Sequence, residues 1–195
     1  MNNNFKEQAN ISIDGHVLIK DVDTQEVLLD KHNQINFQNF AFAMASLLAN
    51  KTVSDNQFFI DKIAFGNGGT VLEASGQISY KNPKVDGING GLYSALEESA
   101  GVPYTKQVSA TTVVDAEGNP YTDVVVQVIL DYNEPTNAPT LDTAVTDTAA
   151  DWVIDELALV TESGTYLTHL IFHPIQKSKN RKIEILYSLR IRAGV

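Results

Sequence analysis

Apolar and polar residues alternate along Ile11-Ser12-Ile13-Asp14-Gly15-His16-Val17 before Leu18-Ile19 turns the run more continuously apolar. A period of two is the signature of a half-buried strand. Asp21-Val22-Asp23-Thr24-Gln25 supplies turn residues, and Glu26 to Asp30 resumes the pattern, so the two runs predict an N-terminal hairpin. The period then changes. Asn36 is a good helix N-cap, and Phe37, Phe40, Ala41, Met44, Ala45, Leu47 and Leu48 recur at three- and four-residue spacing on one helical face, with Asn50 as a stop. The segment carries almost no charge. It predicts a core helix on a sheet with its other face covered too, the alternative being a groove for a partner.

Phe58 to Phe65 reads as a buried strand that Gly66-Asn67-Gly68-Gly69-Thr70 ends abruptly. Residues 71–104 have no steady period. They predict a short strand near Gln77 to Tyr80, a turn at Gly87 to Gly91 and a short helix around Leu92 to Glu98, within a long excursion of the kind used for contacts. Lys106 to Val114 and Tyr121 to Asp131 predict a second hairpin. Val124 to Leu130 is apolar enough to expect cover on both faces. Residues 132–150, rich in Thr, Ala, Asp, Asn and Pro, predict an exposed loop. Three strands close the chain: Trp152 to Val160, Tyr166 to His173, and Ile183 to Arg192, the last with its odd positions buried.

These elements predict a mainly β fold, an antiparallel β-sandwich or barrel of about eight strands with one packed α-helix. No repeated βαβ unit suggests a doubly wound nucleotide-binding sheet. Residues 1–10 are expected to form a flexible arm and 11–195 a single domain. A chain of 195 residues sustains a core without staples.

Composition adds limits. There is no cysteine, which removes disulfides and thiolate chemistry. Neither a secretory signal nor an apolar run long enough for a membrane helix is visible, so a soluble, cytoplasmically made protein without a membrane role is expected. Net charge is −10, which argues against direct nucleic-acid binding. The charge is uneven. Six of the 14 basic residues lie in the last twenty positions, Lys177, Lys179, Arg181, Lys182, Arg190 and Arg192, against Glu184 as the one acid there. This segment either meets an acidic face on a neighbouring subunit or neutralises the chain's own acids.

Each candidate for chemistry weakens on inspection. Gly66-Asn67-Gly68 follows a strand, but Val71 stands where a dinucleotide fingerprint needs its third glycine, and no helix is expected to begin there. The loop reads instead as a turn with positive φ, or as a place where another backbone sits close. His169 and His173 are four apart, but on a strand that separates them by about 13 Å, too far to share a metal ion. Asp155 and Glu156 read as the solvent-facing part of a strand. No catalytic residue, cofactor or metal site is expected.

Several runs resemble virion structural proteins of contractile-tailed bacteriophages, including those of cyanobacteria. They are Gly15-His16-Val17 with Thr24-Gln25-Glu26-Val27-Leu28 and Lys31-His32-Asn33; Ile63-Ala64-Phe65-Gly66-Asn67-Gly68-Gly69-Thr70, the most distinctive; Leu92-Tyr93; Asp131-Tyr132-Asn133-Glu134-Pro135; Asp155-Glu156-Leu157-Ala158-Leu159; and Leu167 to Lys177, followed by Asn180-Arg181. The resemblance extends from about 11 to 192, with 71–120 matching least. It implies a non-enzymatic particle component, a neck, tail or baseplate subunit that forms a homo-oligomer and contacts other phage structural proteins. Gly66, Asn67, Gly68 and Gly69, together with the six basic residues, are then the expected subunit contacts. The alternative is a fibre-associated receptor- or carbohydrate-binding module using Tyr80, Tyr93, Tyr104 and Trp152 as stacking platforms.

Overall fold

A computed structural model of the chain describes residues 10–194 apart from 89, 100, 116–117 and 136–151. Most of the expected N-terminal arm and of the expected 132–150 loop lies outside the described residues. The elements in order are β1 (Asn10–Asp21), β2 (Val27–Ile35), α1 (Phe37–Leu48), β3 (Ile60–Gly66), β4 (Thr70–Leu72), β5 (Ile78–Tyr80), β6 (Glu97–Ser99) and β7 (Val102–Pro103). They continue with β8 (Thr105–Gln107), β9 (Ala110–Asp115), β10 (Tyr121–Leu130), β11 (Val153–Thr161), β12 (Thr168–Gln176) and β13 (Ile183–Gly194).

Nine strands form one antiparallel sheet in the order β8-β3-β11-β12-β2-β1-β13-β10-β9, curled into a half-barrel. The fold is therefore mainly β, antiparallel and barrel-like, with one helix among the described residues, as the pattern predicts. The two edge strands are neighbours in the chain. Lys106 to Val114, read as one strand, is in fact two: β8 pairs with β3, and β9 pairs with β10 at the other end of the sheet. Between them Val108 donates its N–H to the carbonyl of Asp61 at 2.9 Å and Ser109 donates to that of Gln127 at 2.8 Å. This two-residue link ties the sheet's ends together and closes one end of the curl.

The inner face follows from the alternation. Val17 of β1 lies opposite Tyr187 of β13, which lies opposite Val126 of β10. Ile19, Ile185 and Val128 form the next row. All six side chains are buried. Since successive side chains of a strand point to opposite faces, the odd positions of β13 enter the core together. Val125, Gln127 and Ile129 stay half-exposed, so β10 is covered on one face and not on both. The strands buried on both faces are β11 and the first half of β12.

Helix α1 starts where expected. The Asn36 side chain accepts from the Asn39 N–H at 3.0 Å, satisfying one of the free donors of the first turn. The orientation differs from the sequence reading. Asn39, Phe40, Ala43 and Ser46 are the buried positions, while Phe37, Ala41, Ala45, Leu47 and Leu48 are exposed. Polar tethers set this rotation. Asn36 donates to the carbonyl of Gly87 at 2.9 Å, and Asn39 donates to that of Tyr166 at 2.8 Å. Those bonds turn a polar edge of the helix inward and leave most of its apolar stripe outside.

The excursion folds as two ribbons, β4–β5 and β6–β7, joined by irregular chain. The helix expected around Leu92 to Glu98 is absent. Ala95 instead bridges Gly66 and Leu96 donates to the carbonyl of Phe65, so this stretch extends the sheet beside β3.

Candidate functional site

The outer face of β11 and β12 holds the densest polar arrangement among the described residues. It begins with a β-bulge. The register of β11 against β12 shifts between Ile154 and Glu156. A bulge adds one residue and re-aims the side chains around it. Ile154 and Leu157 both point into the core, and Asp155 and Glu156 both point away from it. They do not meet solvent. Asp155 is 2% exposed and Glu156 0%, which corrects the expectation that they face water.

Glu156 acts as a clamp on backbone. Its Oε1 accepts from the N–H groups of Gly68 at 3.1 Å and Ser94 at 2.8 Å. Its Oε2 accepts from the Tyr93 N–H at 2.9 Å and from His169 Nε2 at 2.8 Å. An ionised carboxylate has about four lone-pair sites, and all are taken. Burial pushes the Glu156 carboxyl up. The bonds from His169, Tyr93, Ser94 and Gly68 outweigh burial and hold it below the ordinary glutamate value. His169 is itself fixed at both nitrogens, because its Nδ1 accepts from the Lys84 N–H at 2.7 Å. That bond places the ring proton on Nε2, where it points at Glu156.

Asp155 holds the next turn. It accepts from the N–H groups of Gly69 at 2.9 Å and Thr70 at 2.8 Å, and from the Thr70 hydroxyl. The two carboxylates thus grip the glycine loop and the chain lying across it. Gly66, Gly68 and Gly69 are needed for that close approach. A Cβ on Gly66 would come within 2.5 Å of Glu156 Oε1 and 2.6 Å of the Ser94 carbonyl oxygen. One on Gly68 would come within 2.8 Å of the Ser94 nitrogen. Of the two explanations open from sequence, close backbone approach is the one that operates, since the positive-φ glycines lie elsewhere, at Gly76 and Gly87 among others. Asn67 is exposed, and its N–H donates to the Ser94 carbonyl at 3.0 Å.

The cover continues outward. Lys81 donates through Nζ to the Gly68 carbonyl at 2.6 Å. The ammonium groups of Lys81 and Lys84 sit 4.5 and 4.2 Å from the Tyr93 ring centroid. His173 is exposed and takes a separate partner, the Tyr80 hydroxyl at 3.2 Å. The two histidines share no ligand position.

The basic C-terminal residues are met by acids of the same chain. Arg190 forms a two-pronged pair with Asp123 at 2.8 and 2.7 Å, directly across β13 and β10. Arg192 pairs with Asp14, Lys182 with Asp131 at 3.3 Å, and Arg181 with Asp21 at 2.8 Å and Glu26 at 3.7 Å. Asp21 is lowered to about 2, first by the Thr24 N–H and then by Arg181. Lys179 is half-buried, and its carbonyl accepts from the Asn133 N–H at 2.7 Å. Lys177 is fully buried and offers no surface to a neighbour. Its Nζ donates to the carbonyls of Asp131 and Ser178 at 3.0 and 2.9 Å, and burial lowers its pKa to about 8. Self-neutralisation therefore accounts for most of the basic segment.

Two of the four proposed stacking aromatics are core residues. Tyr104 and Trp152 are 5% and 1% exposed and pack edge to face at 4.9 Å. Tyr80 and Tyr93 remain at the surface. No signal of period or spacing marks Glu156 and His169 as partners. The only hint is that an acid pair interrupts an otherwise apolar strand. Comparison of the chain with protein-family models, curated proteins and solved structures finds no match.

Proposed function

We propose that the chain is a structural subunit of a tailed-phage particle, in the neck, tail or baseplate, that acts through protein–protein contacts and not through catalysis. One observation carries the reading. Four of the sequence runs that resemble virion proteins, separated by up to about a hundred positions, meet at one place. Gly66 to Thr70, Leu92-Tyr93, Asp155-Glu156 and the run holding His169 build the clamp. The resemblance thus falls on the contacts that hold the excursion against the barrel, which are determinants of a rigid shape. Glu156 and His169, the side chains with most potential for acid–base work, are both sealed from solvent and saturated by the chain's own groups.

The carbohydrate-binding alternative is left with Tyr80 and Tyr93. Both rings already have lysine ammonium groups near them, Lys31 at 5.7 Å from Tyr80 and Lys81 and Lys84 close to Tyr93.

Proteomic analysis of purified particles, followed by cryo-electron microscopy of particles carrying a tagged copy, tests the proposal. The expected result is a fixed copy number at one position along the neck-to-baseplate axis. Absence of the chain from purified particles overturns it.

A further inference from the structure

We infer that the outer face of α1 is a homotypic interface, on which a second copy of this chain docks its own α1 antiparallel. Phe37, Ala41 and Leu48, which face outward, and Met44, half-buried at the margin of the core, follow a four-three-four spacing. That is the seam of a helix that packs along another helix. Among the described residues nothing covers the seam. Phe37 is 63% and Leu48 87% exposed, and Ala41 between them is exposed as well. A groove beside it, on the side of Met44, is lined by Leu47, Phe59 and Val113, so the apolar surface continues from the helix to the edge strand β9.

Two arguments select a second copy as the occupant. The first is area. A half-exposed phenylalanine offers on the order of 100 Å². The seam and the groove side chains together reach several hundred, at the upper end of what a solitary monomer leaves open and a large part of the roughly 800 Å² per partner of a standard interface. The second is charge. The chain carries −10, so two copies repel each other over most of their surfaces. From Asn33 to Asn50 there is no Asp, Glu, Lys, Arg or His, and α1 lies wholly inside that stretch. Here two copies can approach without bringing like charges of α1 together. In the antiparallel arrangement Phe37 faces Leu48 of the second copy, and Ala41 faces its Met44, so large residues meet small ones at the centre.

This inference shares with the proposed function the premise that the chain works among copies of itself, but it concerns the isolated protein. Sedimentation velocity of the full chain tests it, with Phe37→Glu, Leu48→Lys and the double variant. Both substituted positions are solvent-facing, and each new charge suits its end of the helix dipole, so circular dichroism should report an unchanged fold. The wild type should self-associate at micromolar concentration, and more strongly with added salt as repulsion is screened. Each single variant should weaken association roughly tenfold or more. The double variant should recover it, because the introduced carboxylate of one copy then faces the introduced ammonium of the other. A monomeric wild type, whatever else it binds, overturns the inference, as does association that ignores both substitutions or a double variant weaker than either single one. A chain that associates through this face yet is absent from particles overturns the proposed function alone. One that is present in particles but monomeric in isolation overturns this inference alone.

Discussion

The barrel is finished in opposite ways on two sides. Over β11 and β12 the chain covers itself, and it does so with charge: Asp155, Glu156 and His169 are buried against backbone N–H groups of the excursion. Over α1 nothing among the described residues covers an apolar seam that lacks any charge. The difference follows from what is being covered. An irregular segment brings free N–H groups with it, and burying these demands acceptors, which an ionised carboxylate supplies more strongly than a neutral one. A regular helix satisfies its own backbone and can leave an apolar stripe for a partner that needs only shape. The first side is built for permanence within the chain, and the second suits contact between chains.

The largest effect is expected at the clamp. Glu156→Ala removes the acceptor for three backbone donors and for His169 at once, in a site without water access. Breaking a buried charged pair from one side costs about 3–5 kcal/mol, to be read from urea unfolding midpoints. Hydrogen exchange at the Gly68, Tyr93 and Ser94 amides should accelerate with it. A loss under about 1 kcal/mol would mean that the excursion is held by something else. Because the folded pKa of Glu156 is depressed, its stabilisation is present above the unfolded value of about 4.3 and is lost as pH falls through the folded value. The variant should therefore show a shallower acid limb.

Lys177 gives a pH test of the opposite sign. Its pKa falls from 10.5 to about 8 on folding. Below 8 the fold carries a cation it disfavours, and between about 8 and 10.5 the unfolded chain binds a proton that the folded chain does not. Stability should rise through that window by at most about 3 kcal/mol. From about pH 10 upward Tyr104 and Tyr187, both raised from 10.0 by burial, oppose the trend. Unfolding midpoints measured from about pH 7 to 10 should climb in the wild type and stay flat in Lys177→Met.

The glycine loop sharpens the account of close approach. Gly66→Ala puts a methyl group against a backbone carbonyl that cannot swing aside. The expected loss is about 1–3 kcal/mol, whereas Asn67→Ala, on an exposed side chain between two such glycines, should stay within about 0.5 kcal/mol. Equal losses at both would show that the loop is merely a turn.

What is legible in the sequence divides along the same line. Strands β1 and β13 announce themselves because one face is buried and the other is not, β10 shows only as a continuous apolar run that does not tell its covered face, and the Asn36 cap announces α1. The clamp is hidden for two reasons. The bulge at Asp155 breaks the period that would have shown which way Glu156 points. Its cover comes from residues 62 to 88 positions away in a segment with no period of its own. The rotation of α1 escapes the sequence because an apolar stripe is expected to face the core, while Asn36 and Asn39, polar and buried, decide the orientation through bonds to Gly87 and Tyr166. Periodicity shows which residues of a helix are alike, and not which face the fold turns inward.

The smallest expected effect separates the two sides most cleanly. If the α1 seam belonged to the monomer's own core, a charge there would be as damaging as the loss of Glu156. Leu48 is 87% exposed and lies in the last turn of the helix, where a lysine interacts favourably with the terminal carbonyls. Leu48→Lys should therefore change the stability of the isolated monomer by no more than about 0.5 kcal/mol. Unfolding has to be followed at a concentration low enough to hold the wild type monomeric, since any stability drawn from association depends on concentration. A loss of several kcal/mol under those conditions would place Leu48 under cover from its own chain, and the contrast between a self-covered side and an open one would fail.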